Sequence, residues 1–327
     1  VTGLTFGGAN CAKVDITGTT SALVTDVLTI LATAEDATVT FSAAPSTFSV
    51  LAVQADSGII VHTNVSTTTG YINLDADYDD SATGDSPNNL ELASGVSMSA
   101  ASVMTLEASA GDILAAGSLT LEAGFGIVIL DSMSSVAANK AVVVNADHDS
   151  TGTGTLTVWT SKTVTSNNGS IVVTAWDIDL QGSATAGTST FLVHGAQVSQ
   201  TFGLGSTAQN MHLTDAEIGR MTAAGGLTVG NSVTGSMVVN GITDGNSDTI
   251  GTVTMITTKH AKTVTFATGA SSFNKGLLMH TMGGMVLSES VTTKSDPIIV
   301  RTGTGTLTVK SAATFSTTGQ ILMVTAE

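Results

Sequence analysis

The sequence predicts an all-β fold, a right-handed parallel β-helix (β-solenoid), and three observations predict it. Short runs in which apolar residues alternate with Thr, Ser or Asn recur along the whole chain, the period of a strand with one face in a core. Helical spacing is nearly absent. The chain also repeats itself over a long period, as stacked arrays do.

The repeat is read from two echoes. Thr-Gly-Thr-Gly-Thr-Leu-Thr-Val at 151–158 returns letter for letter at 302–309. Val39-Thr40-Phe41, Phe48, Gly58 and Val61 find counterparts in Val264-Thr265-Phe266, Phe273, Gly283 and Val286, an offset of 264 − 39 = 225. At 327/225, the chain holds about 1.45 copies of one super-repeat, 1–223 and a partial second copy 224–327, in one continuous solenoid. Gly3-Leu4-Thr5-Phe6-Gly7 also matches Gly226-Leu227-Thr228-Val229-Gly230, so both ends read as lying inside a repeat of a longer polymer.

In chain order, strands are expected at 27–32, 39–42, 49–55, 59–65 and 71–75, then at 90–92, 104–106, 119–121, 127–129, 142–144, 156–158 and 171–173. The same style continues at 191–193, 227–229, 237–239, 253–255, 264–266, 286–287, 298–300 and 307–309. Pro45, Pro87 and Pro297 fall where strands end or bend. Glycines such as Gly58, Gly70, Gly126 and Gly169 precede strands and suit tight corners. A sandwich or barrel stops after one domain, whereas a stack of rungs has no natural stopping point. With about twenty residues per rung and strands about 4.8 Å apart, the chain would make roughly sixteen rungs over about 75 Å.

Within a strand the period of two assigns faces. Leu156 and Val158 should point inward and Thr155 and Thr157 outward. Outward threonines could form a flat hydroxyl array for ice or sugar, but Thr155, Thr174, Leu192 and Met237 already break such a row. Thr is in any case favoured on outward strand positions.

Composition narrows the function. Charged residues are 11% of the chain, and 10 basic against 26 acidic residues give a net charge of −16. That balance argues against nucleic acid, where Lys and Arg supply most of the affinity, and against anionic membranes. Apolar runs such as Ala141-Val142-Val143-Val144 are far shorter than the twenty or so residues of a membrane span. Cys11 is the only cysteine, so no disulfide forms within the chain. Asn64-Val65-Ser66 and Asn168-Gly169-Ser170 are sequons, which makes Asn64 and Asn168 glycosylation candidates in a secreted protein.

One stretch departs from the strand pattern. Residues 210–222, from Asn210-Met211-His212 through Leu213-Thr214-Asp215-Ala216-Glu217-Ile218-Gly219-Arg220-Met221-Thr222, suit a helical turn or a wide corner before Gly226-Leu227-Thr228-Val229-Gly230. This run resembles the recurrent signature of secreted β-strand-repeat proteins, the filamentous-haemagglutinin-like exoproteins and the giant surface repeat proteins of microalgae. The sharp motif covers 203–230; the style covers nearly the whole chain. The resemblance implies a parallel β-helix exported as a surface fibre, adhesin or stalk, with no catalytic residues to carry over.

Candidate chemistry is sparse. Asp75, Asp77, Asp79, Asp80 and Asp85 form the densest carboxylate cluster, and alternating hard oxygen ligands are what calcium needs. The spacing fails as an EF-hand, since Asp80 stands where Gly is required and Ser86 where the bidentate Glu is required. The competing reading is a solvated corner. The second copy has Arg301-Thr302-Gly303-Thr304-Gly305 there, eight residues shorter since 307 − 90 = 217 against 225, and Asn145-Ala146-Asp147-His148-Asp149 is a related run.

His62, His148, His194, His212, His260 and His280 show no metal-ligand spacing. No Gly-x-Ser-x-Gly elbow accompanies His212 and Asp215. Arg220 and Arg301, the only arginines, stand outside any acidic cluster, which disfavours a β-helical polysaccharide lyase or hydrolase. The sequence therefore reads as a non-enzymatic extracellular fibre or stalk that associates end to end. The alternative is an adhesin for surface carbohydrate, with Trp159 and Trp176 as possible stacking residues.

Overall fold

The computed structural model describes residues 1–20, 23–81, 83 and 87–326. Two compact units emerge: Val1–Asn167 with Leu180–Ser183, and Asn168–Asp179 with Ala184–Glu327. Each is a parallel β-solenoid built of short strands, and together they make about 14 turns.

In the first unit the chain visits three stacks in rotation. The first holds Leu4–Gly8, Val27–Ala32, Val50–Ala55, Ile72–Asp75, Val103–Glu107, Gly126–Ile129 and Thr155–Val158, each hydrogen-bonded in parallel to the next. The second runs from Lys13–Ile16 through Thr38–Phe41, Gly58–Val61, Asn89–Leu92, Ile113–Ala115 and Met133–Ser135 to Thr163–Thr165. The third comprises Ser46–Phe48, Val65–Thr67, Val96–Ala100, Leu119–Ala123 and Val142–Asn145.

Burial alternates along the strands as the sequence dictates. In Leu119–Ala123 the first, third and fifth side chains are buried and the others half-buried. In Thr155–Val158, Leu156 and Val158 are buried and the threonines half-buried. Phe41 and Phe48 meet edge to face inside the first unit, ring centres 6.4 Å apart. The run expected at 59–65 is two strands, because His62-Thr63-Asn64 turns the corner between the second and third stacks.

The second unit has its own long stack: Ile171–Ala175, Thr190–Gly195, Gly226–Asn231, Val253–Thr257, Leu277–Thr281, Ile298–Arg301 and Leu322–Thr325. Beside it lie Phe202–Gly205, Met237–Asn240, Val264–Phe266, Gly284–Leu287 and Thr306–Val309. Ser271–Phe273, Val291–Thr293 and Phe315–Thr317 complete its turns. The wide corner at 210–222 contains the α-helix Asp215–Ile218, closed by a capping box in which Thr214 and Glu217 satisfy each other's backbone N–H groups.

The turn count falls below sixteen because many turns exceed twenty residues. Val103 pairs with Gly126, 23 residues on, and Gly126 with Thr155, 29 residues on. The extra length sits in corners.

Strand registers also correct the repeat. Phe41 and Phe266 keep the offset of 225, but Leu51 corresponds to Leu277, since 277 − 51 = 226. One residue is gained between Phe273 and Leu277, four positions apart where Phe48 and Leu51 are three apart. Gly58 therefore matches Gly284, not Gly283, and Val61 matches Leu287, not Val286. Both Gly58 (φ 133°) and Gly284 (φ 99°) open a strand with positive φ, and Val61 and Leu287 are both fully buried whereas Val286 points outward. A slip of one residue flips the face, so burial decides the match. With Asp75 matching Arg301 and Leu90 matching Leu307, the corner deletion is 226 − 217 = 9 residues, not eight.

The identical octapeptides, by contrast, occupy different places in the turn. Thr155–Val158 stacks on Gly126–Ile129, and Thr306–Val309 stacks on Gly284–Leu287. The counterpart of the latter partner is Gly58–Val61, which belongs to a different stack from Gly126–Ile129. One local sequence serves two sites because both demand only alternation.

Candidate functional site

In the first unit, the corners that lead from the first stack to the second carry buried carboxylates. Asp56, Asp77 and Asp131 are 7%, 0% and 3% exposed. Each takes a backbone N–H from a neighbouring turn: Asp56 Oδ2 from Asp36 at 2.9 Å, Asp131 Oδ2 from Ala108 at 2.9 Å, and Asp77 Oδ2 from Ala110. The Lys162 ammonium donates to the other oxygen of Asp131. Corner N–H groups have no ladder partner, and an ionised carboxylate is the strongest acceptor available to them. These aspartates fasten one turn to the next.

The residues predicted to bind calcium lie on this edge. Asp75 ends its strand half-buried, and its Oδ2 accepts from Gln54 Nε2 at 3.1 Å. Asp77 Oδ1 accepts from Asn88 Nδ2 at 3.3 Å. Asp79 Oδ1 takes the Ser81 N–H at 3.0 Å on the surface, and exposed Asp80 adopts φ 57° and donates its own N–H to the Asp77 carbonyl. Asp85 lies outside the described residues. Among the described residues no group of three or more His, Cys, Asp or Glu side chains is arranged to hold a metal ion. The structure brings Asp75 and Asp77 into one corner and commits their oxygens to N–H donors.

Burial pushes the Asp75 carboxyl up; hydrogen bonds from Gln54 and the Asp77 backbone oppose this, and Asp80 and Asp131 add to it. Glu107, its register partner one turn on, is raised by burial and then by Asp75. Asp147, in the related corner, is 1% exposed and accepts the Gly152 N–H at 3.0 Å; burial raises it too.

The other candidates are dispersed. His194 is depressed by burial, and His212 Nε2 lies 2.7 Å from the Gly205 carbonyl. His148 Nδ1 stands 3.8 Å from Glu122. His280 Nε2 lies 3.3 Å from Arg301 Nη1. Asn64 and Asn168 are exposed at corners, with their carbonyl oxygens taken by the Ser97 and Thr188 N–H groups at 2.9 and 3.0 Å. Tyr71, Tyr78, Phe125 and Trp159 are 40–50% exposed on the first unit.

Sequence reading missed Asp56, Asp131 and the Asp131–Lys162 pair. The available signal was an Asp immediately or shortly after an apolar strand, repeated from turn to turn.

Family models, curated proteins and solved structures contain no match to this chain. Fold and corners together define a parallel β-solenoid repeat protein whose turns are fastened by buried carboxylates. No helix among the described residues is long and apolar enough to cross a membrane.

Proposed function

We propose that this protein is a structural segment of an extracellular fibre or stalk, whose task is mechanical reach. The observation that carries this reading is the fastening of turns. Strands are bonded in parallel to their neighbours, apolar residues fill the interior, and Asp56, Asp77 and Asp131 tie corners that a strand ladder leaves open. Such a structure resists pulling through many parallel hydrogen bonds and needs no pocket.

Axial self-association belongs to the same reading. A stack of parallel strands directs its hydrogen-bonding groups along the stacking direction, where a further strand can be added. Single-molecule pulling and analytical ultracentrifugation test the proposal. The expected result is a high unfolding force with concentration-dependent elongated oligomers; unfolding at the low forces typical of helical domains would sink it. The adhesin reading draws on the exposed Tyr71 and Phe125, which precede strands two turns apart in the first stack, and glycan-array binding tests it.

A further inference from the structure

We infer that the second unit carries a carboxylate-binding site at Arg301 and His280, suited to a uronate or similar acidic sugar. Arg301 and His280 are register partners on adjacent turns, both on the outward side of the long stack. They border a cavity of about 580 Å³ whose lining also includes Thr258, Met282, Met323 and Thr325.

The pair's chemistry follows from its donors. Arginine offers only N–H groups, so at 3.3 Å His280 Nε2 must be the acceptor. The contact leaves the guanidinium its full charge. His280 thus positions the planar fork without neutralising it.

Among the described residues Arg301 has no acidic neighbour to neutralise it. Lys13, Lys162 and Lys294 each meet an aspartate, but among the described residues no carboxylate oxygen lies within 4.0 Å of Arg301. An exposed guanidinium in a recess, without an internal counter-ion, is a bidentate receptor for a carboxylate. The net charge of −16 weakens this little, because charges farther than about 8 Å are largely screened at physiological salt.

The repeat supplies an independent observation. The counterparts of His280 and Arg301, at the offset of 226, are Gln54 and Asp75, which also touch between turns, at 3.1 Å, with the donor on the other residue of the pair. One solenoid position therefore presents a carboxylate in the first unit and a carboxylate receptor in the second. Beside Arg301, half-buried Leu278, Ile299 and Met323 form an outward apolar row in register. A ligand with a carboxylate at one end and an apolar ring face at the other fits both features.

The test is calorimetric titration of the full chain at physiological salt with glucuronate, a tri-uronate and neutral glucose. Saturable uptake of the uronates but not glucose is expected, weakened at least about tenfold in Arg301→Gln and partly in Arg301→Lys, which keeps the charge and loses the fork. Lys310→Gln should bind as the parent does. Tighter binding of the tri-uronate points to a polysaccharide source, and equal binding to a free carboxylate. Absence of saturable binding up to about 10 mM, or undiminished binding by Arg301→Gln, overturns the inference. So does dimerisation abolished by both Arg301→Gln and Asp75→Asn without uronate uptake, which would make the receptor's partner a second copy. None of these readouts depends on the fibre proposal.

Discussion

Lys162 reaches across one turn of the first unit to Asp131, and the carboxylate it meets is 4% exposed while the ammonium is 32% exposed. The same carboxylate holds the Ala108 N–H of the turn on its other side. Three successive turns are joined through one side chain.

Asp131→Ala should therefore destabilise the first unit by about 3 kcal/mol, because it orphans a buried N–H and a half-buried ammonium together. Lys162→Met should cost less than Asp131→Ala, since the Ala108 bond survives. Urea unfolding measures the difference, and hydrogen exchange at the Ala108 amide should accelerate in the first variant only.

Asp75 and Glu107 make the stability of the first unit depend on pH. Their folded-state carboxyls are raised above the ordinary 3.8 and 4.5, so the folded unit binds more protons than the unfolded chain. Their contribution is fully present below those ordinary values and is lost as pH rises through the raised ones. Asp75→Asn keeps an acceptor for Gln54 and removes the charge, and should raise stability at neutral pH by up to about 1 kcal/mol. Urea midpoints at pH 4 and pH 7 check this: the gain should shrink at the lower pH.

Alternation made most of this fold readable from sequence. Leu156 and Val158 point inward as their spacing requires, and the helical turn falls within 210–222. What alternation cannot fix is register. The extra residue between Phe273 and Leu277 leaves both flanking patterns intact, so only the burial of Leu287 and the positive φ of Gly284 reveal it. The fastening role of the aspartates was hidden for another reason. Asp56, Asp77 and Asp131 bond to residues 20, 33 and 23 positions away, separations set by corner length, which no local pattern encodes.

Gly284→Ala tests the corrected register. The backbone there has φ 99°, and an added Cβ would lie 2.4 Å from the Thr306 carbonyl oxygen. Strain of about 1–3 kcal/mol is expected from the dihedral alone, and more from the clash. Gly283→Ala, the control under the offset of 225, should not show the dihedral penalty, since Gly283 lacks positive φ. Its own close neighbours in the Ala261–Lys262 backbone set a separate steric cost. Both costs at position 284 attach to any Cβ, so Gly284→Asn should be no better tolerated than Gly284→Ala, and urea midpoints of the two variants check this.

Asp215 anchors the wide corner of the second unit. Its Oδ1 accepts the Thr243 N–H at 2.8 Å, and its Oδ2 accepts Thr243 Oγ1 at 2.9 Å and Asn246 Nδ2 at 2.7 Å. Hydrogen bonds to a charged group contribute about 1.5–3 kcal/mol each, though neighbours do not add. Asp215→Ala should therefore cost about 2–4 kcal/mol, and Asp215→Asn less, because an amide oxygen can keep one donor. The effect should be local: exchange at the Thr243 amide rises first, while the strand Val253–Thr257 keeps its protection. Equal loosening of both would show that corner and stack unfold as one unit, and that the helical insert is integral to the solenoid's cooperativity.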